Sequence, residues 1–174
     1  MSYSLEDFST DCHRILTRDS SLAAREEVRR KLAQLLGEDD FIAAHCGPEA
    51  PVGRHTLYDD PELGFQVLAH IMKNDYDGTP HDHGSSWAIY GQAVKHTDMT
   101  VWKRLDDASV DGKADIERKL QYRLEPGDVG LFNEGTIHSI SYPGGGRFVR
   151  VTGTDLDKIK RSRFDAEAGT TVLD

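Results

Sequence analysis

Apolar positions in the first fifty residues recur at helical spacing. Leu5, Phe8, Cys12, Ile15 and Leu16 fall at i, i+3/i+4 steps and define one buried face. Ser4, with Asp7 three residues on, predicts a capping box at the start of that helix. A second helix is predicted from Ser21 to Leu36, with Leu22, Val28, Leu32 and Leu35 inward and Gly37 as its C′ residue. A short third helix is predicted from Asp40 to Cys46, stopping at Gly47.

Beyond Pro51 the pattern changes to short strands. They are His55–Tyr58, Gly64–Met72, Ser86–His96, Met99–Leu105, Leu120–Leu124, Val129–Phe132, Thr136–Tyr142 and Phe148–Thr152. Turn clusters divide them: Asn74 to Gly78, Pro126-Gly127-Asp128, Asn133-Glu134-Gly135, and Pro143 with the three glycines after it. The polar stretch Asp106 to Asp115 reads as a surface loop, and the chain from Asp165 onward as a loosely held acidic tail. Short strands at this regular spacing predict a β-sandwich or small barrel. The expected layout is a single all-β domain with N-terminal helices. Residues 1–50 form a helical segment packed on a barrel spanning 51–157, and 158–174 form a tail.

Composition narrows the function classes. Of 174 residues, 37% are hydrophobic and 29% charged, the balance of a soluble globular chain. The net charge of −9 argues against a binder of nucleic-acid backbones. It leaves room for a small anion, because one well-placed arginine can outweigh the global field. No stretch approaches the ~20 apolar residues of a membrane span. The first residues lack a signal-peptide pattern, and Cys12 and Cys46 form no C-x-x-C. A cytoplasmic protein with no membrane and no nucleic-acid partner is expected.

Three of the eight histidines carry the chemistry. His81 and His83 form an H-x-H, and on an extended strand such residues point to one face. His138 lies on a later strand that would cross opposite them. Three neutral imidazoles can hold one metal and leave positions open for substrate or oxygen. Asp82, between the two, is expected to point away. Three imidazoles suit Fe, Ni, Zn or Mn alike.

Together these residues resemble the cupin superfamily. Gly78-x-x-His81-x-His83 followed by Gly91 is similar to its first motif, and Gly127-Asp128, Asn133, Gly135 and His138 to its second. The resemblance implies a double-stranded β-helix (jelly-roll-like) barrel that often pairs, hence a monomer or homodimer. Trp87 and Ala88 stand where the first motif places a Glu, which implies a three-histidine site. Within cupins the layout looks most like the thiol dioxygenases, which oxidise cysteine or mercaptopropionate. Helices precede the barrel, Arg54 to Tyr58 lies upstream of the H-x-H, and Trp87 follows it. The implied function is oxidation of a small anionic thiol carboxylate by O2, with Fe(II) as the implied metal. Two departures stand out. Ala88 replaces the Cys that cross-links to Tyr in cysteine-type members. Phe148, Arg150 and Thr152 occupy the places of the family's Ser-His-Tyr relay. Oxygenase, isomerase or lyase activity on another small carboxylate, aromatic ones included, or a non-catalytic metal- or ligand-binding sensor, therefore stays open.

The remaining candidates follow. Arg54 and Arg150 are candidates for the substrate carboxylate, and Tyr58 for a hydroxyl near bound oxygen. Trp87 and Tyr90 are barrel-wall or pocket residues. Arg161 or Arg163, in the basic run Lys158 to Arg163, could reach the barrel mouth, the alternative being a solvated helix face. His13, His45, His55, His70 and His96 are expected in the core or on the surface, without a ligand role.

Overall fold

The computed structural model describes residues 2–174. Helix α1 (Leu5–Arg18) starts on the capping box: the Ser4 side chain accepts from the Asp7 backbone and the Asp7 carboxylate accepts from Ser4 N–H. Helix α2 (Leu22–Leu36) starts on Ser21 and buries Ala24, Val28, Leu32, Leu35 and Leu36. Leu22, expected inward, is 55% exposed. It lies six residues before Val28, which at about 100° per residue turns it off the apolar face. Gly37 ends the helix in a right-handed conformation, φ −82°, and not in the left-handed one its C′ reading implied. Helix α3 covers Asp39–Cys46.

Eleven strands follow: β1 (Gly53–Asp59), β2 (Gln66–Ile71), β3 (Tyr76–Asp77), β4 (Ala88–Val94), β5 (Thr97–Arg104), β6 (Ile116–Leu124), β7 (Val129–Phe132), β8 (His138–Tyr142), β9 (Arg147–Thr152), β10 (Ser162–Asp165) and β11 (Thr170–Leu173). Eight were expected. The expected turn at Asn74–Gly78 contains β3, paired to β8. The expected loose tail folds into the β10–β11 hairpin, with backbone pairing from Ser162↔Leu173 to Asp165↔Thr170. Apart from Phe164 the side chains of its two strands are exposed or half-buried, so no buried face announced it.

One sheet has the order β1-β2-β9-β4-β7 and the other β3-β8-β5-β6. Strands β2 to β9 thus alternate between two antiparallel sheets in the orders 2-9-4-7 and 3-8-5-6, which is the topology of a jelly roll, or double-stranded β-helix. The two sheets face one another as a sandwich; among the described residues no strand pairing closes them into a continuous barrel. The chain is mostly β with three helices in front. Among the described residues no helix is long and apolar enough to cross a membrane.

Strand alternation on the five-stranded sheet separates a helix-side core from one between the sheets; a third, smaller cluster holds Ala114, Ile116, Ile137 and Phe164. On β9, Val149 and Val151 point to the helices, while Phe148 points between the sheets. On β4, Ile89 takes the helical side and Ala88 and Tyr90 the inner side. Phe8, Ile15, Val28, Leu32 and Leu35 complete the helix-side core and are fully buried, each contributing roughly 1.5–3 kcal/mol of apolar burial. Close approach requires glycine at Gly91: a Cβ there would lie 2.5 Å from Leu36 Cδ1 and 2.9 Å from Leu32 Cδ2 of α2. Arg25 of α2 forks onto Glu134 and donates to Asn133 Oδ1 at 3.0 Å. That contact ties the helix to the turn immediately before β8, the strand that opens on His138.

Candidate metal centre

His138 is the first residue of β8 and is fully buried. His81 is not on a regular strand. It forms a single antiparallel bridge with His138, each backbone N–H donating to the other's carbonyl at 2.9 Å. His83 follows in a turn and is 2% exposed. The extended-strand expectation for the H-x-H is thus replaced by a bridge and a turn, yet the three rings converge. Their ligating nitrogens lie within 4.8 Å of one another, and ring centroids are 4.7 Å apart for His81–His138 and His83–His138.

Hydrogen bonds orient two of the rings. His81 Nδ1 meets Thr79 O at 3.0 Å and His138 Nδ1 meets Thr136 O at 3.1 Å, so in the neutral tautomer each Nδ1–H donates and each Nε2 is left with a lone pair. His138 Nε2 is buried without a partner. An orphaned buried acceptor costs about 1–3 kcal/mol, and a shared cation would remove that cost. Burial, then the neighbouring His81, pushes the His138 imidazole down to about 3. Burial also holds His81 and His83 below the ordinary imidazole range. All three are therefore neutral near pH 7, the form that binds metal. Among the described residues no carboxylate or thiol joins the group. Ala88 is buried and offers no donor. The donor set fits a divalent metal held by three imidazoles, and three ligands leave coordination positions open.

A cavity of about 190 Å³ opens beside His81. Its wall includes His70, Tyr76, Tyr90, Tyr142, Phe148, Arg150, Arg161 and Arg163. The Tyr90 hydroxyl lies 3.3 Å from His83 Nε2. Arg150 on β9 stands opposite Leu68 of β2 and Tyr90 of β4. Its Nε is buried without a hydrogen-bond partner. Asp82 also touches the cavity, but its Oδ1 accepts from the backbone N–H of Gly84 and Ser162, both at 2.9 Å. A larger cavity, about 820 Å³, lies among Tyr3, Leu5, Phe41, His45 and Tyr58 between α1, α3 and β1. None of the three clustered histidines touches it.

The structure thus brings His81, His83, His138, Tyr90 and Arg150 together, and separates three other candidates from them. Arg54 is half exposed on β1 and forms an ion pair with Asp157; it does not line the histidine cavity. Tyr58 donates to Asp60 Oδ2 at 3.1 Å and lines the helix-side cavity. Trp87 packs in the helix-side core, with the Arg25 guanidinium 5.9 Å from its ring centroid. Each of the three is taken by a local partner on the wrong side of the five-stranded sheet or at its edge. His70 is the cavity residue that sequence reasoning left in the core. It stacks on Phe148, centroids 4.5 Å apart and 11° from parallel, and its Nε2 is buried without a partner. Burial, and then the Arg150 charge, hold it well below the usual imidazole range. The signal for it was alternation on β2, which puts Leu68 and His70 opposite Arg150 and Phe148.

No protein-family model matches the chain, and no curated protein matches it. Solved structures with a similar course of the chain include the cupin domain of Schizosaccharomyces pombe Cnp3. It is 14% identical, with a TM-score of 0.46 over 62% of this chain and 66% of that one. KdgF from Halomonas sp. is 16% identical, with a TM-score of 0.41 over 57% of this chain and 74% of that one. A Klebsiella pneumoniae protein with a double-stranded β-helix domain is 11% identical, with a TM-score of 0.42 over 67% and 87%. The architecture assigned to this chain rests on its own strand order, and the site on its own side chains.

Proposed function

We propose that this chain is a metal-dependent cupin that uses O2 to oxidise a small thiol carboxylate. The observation that carries the reading is the buried three-histidine cluster opening onto a small, arginine-lined cavity. The cupin assignment draws on the jelly-roll order and on the two histidine-bearing motifs. His81, His83 and His138 would hold the metal, for which Fe(II) is proposed. When bound, Fe(II) would supply the redox chemistry between the substrate's thiol and O2.

The chain's own residues do the rest. Arg150 is always charged and forks onto carboxylates, so it anchors the substrate's acid group. Tyr90 holds a hydroxyl beside His83, where it can donate or accept a proton at the reacting centre. In this reading Tyr90 provides, from β4, the hydroxyl that Phe148 and Arg150 cannot provide from β9. Phe148, Tyr142 and Ile140 form the apolar wall that limits water. The cavity is smaller than the ~300–1,000 Å³ of sites for drug-sized ligands, which favours a substrate of few heavy atoms.

The aromatic wall of Tyr76, Tyr90, Tyr142 and Phe148 favours one second reading, oxygenation or lyase chemistry on another small carboxylate. Oxygen uptake by the Fe(II)-reconstituted protein separates the two. Uptake with cysteine, mercaptopropionate or a related thiol acid, abolished in His81→Ala, supports the first. Bound iron with no uptake across the thiol panel removes it and leaves the second reading or a sensor.

A further inference from the structure

The basic run after β9 does not form a solvated helix. Lys158 ends a short 3-10 helix, Leu156–Lys158, and Ser162 opens β10. Strand β10 is seated on the segment that carries His81. Asp82 N–H donates to Ser162 O at 3.0 Å, and Phe164 N–H donates to Pro80 O at 2.9 Å. Arg163 makes a single bridge with His81. Glycine is required at Gly84, where φ is +55° and a Cβ would collide with the Lys160 carbonyl. These contacts bring Arg161 and Arg163 to the cavity that Arg150 enters from β9.

The charges there do not balance. Three guanidiniums face the cavity, and Asp82 is the one carboxylate among its lining residues. Arg163 is taken by Asp174. Among the described residues neither Arg150 nor Arg161 has a carboxylate at ion-pair distance. The chain carries 30 Asp and Glu against 21 Lys and Arg, so acid groups were abundant. Two arginines from different elements, unpaired in so acidic a chain and sharing one small cavity, mark places for two separate anionic groups. Guanidinium forks match planar carboxylates two bonds at a time.

We infer that the cavity selects small dicarboxylates: Arg150 takes one carboxylate on the β9 wall, and Arg161, delivered by the C-terminal hairpin, takes the second. This rests on the reading of the histidine cavity as the substrate site, and it narrows the substrate to an acid with two carboxylates. The hairpin is then the specificity element of the fold.

The test is calorimetric binding of succinate and of butyrate to the Fe(II)-loaded protein under nitrogen. Succinate is expected to bind about tenfold or more tighter than butyrate, the scale of one hydrogen-bonded charge contact. Arg161→Gln is expected to erase that preference while leaving butyrate affinity within about twofold, and Arg150→Gln to weaken both acids. Equal affinities, no binding of either acid, or a preference that survives Arg161→Gln overturns the inference. Oxygen uptake reads the underlying reaction separately. Succinate preference without uptake on any thiol acid keeps the clamp and removes thiol oxidation. Uptake with a monocarboxylic thiol acid, without succinate preference, does the reverse.

Discussion

The buried atoms without partners are the most telling at the scale of single residues. His138 Nε2, His70 Nε2 and Arg150 Nε all lie in or beside one cavity. Folded proteins seldom leave such atoms unpaired, and three together fit a site completed by a cation and an anion. The histidine cluster was legible in the sequence because H-x-H and a third histidine after a Gly-Asn-Gly-rich turn are local signals. The residues lining the cavity beside it were less so. Arg54 and Arg150 look equivalent along the chain, and only the strand register, which sets Arg150 opposite Tyr90, separates them. Tyr58 and Tyr90 differ in the same way, one held by Asp60 and the other beside His83. Replacing Tyr90 with Phe is expected to lower oxygen turnover by about a hundredfold, the low end of acid–base contributions. Metal content should stay unchanged. Equal turnover in the variant, read on an oxygen electrode, would make Tyr90 a wall residue only.

Among the elements, the helices read clearly because their apolar spacing and Ser caps are strong local signals, while the C-terminal hairpin did not. Its strands pair through backbone, and its side chains are mostly exposed, so neither period nor hydrophobicity gave it away. Helix packing makes a specific demand at β4. Gly91→Ala pushes a methyl into Leu32 and Leu36 of α2, and is expected to cost about 1–3 kcal/mol in chemical unfolding. No loss of stability would mean that α2 can shift freely on the sheet. A second contact anchors α1. His13 Nδ1 lies 2.8 Å from Asp60 Oδ2, and this hydrogen bond raises the imidazole above its ordinary value. Asp60 is held below its own, where hydrogen bonds from the Leu63 backbone and from His13 outweigh burial. A raised imidazole contributes stability below its unfolded value and loses it as pH rises through the folded one. The lowered carboxylate contributes above its unfolded value and loses it in acid. The pair is therefore strongest between about pH 4 and 6.5. The melting temperature of His13→Ala should fall furthest below that of the unmutated chain in this window, and the gap should narrow at alkaline pH. A gap that widens with rising pH would contradict the assignment.

Taken as a whole, the molecule is an acidic jelly roll with a cationic pocket and three imidazoles at its centre. The two-sheet fold was readable from the number and spacing of short strands, since each sheet face is patterned separately. The choice between sandwich and barrel was not, because whether two sheets join through strand edges depends on long-range pairing that no local pattern encodes. The account's central claim is that His81, His83 and His138 hold one metal ion. The direct measurement is elemental analysis of iron per chain after Fe(II) loading and dialysis, for the unmutated protein and for His83→Ala and His138→Ala. The account predicts one iron per unmutated chain and nearly none in either variant, with far-UV circular dichroism unchanged. Iron retained in the folded variants, or absent from the unmutated protein, would contradict it.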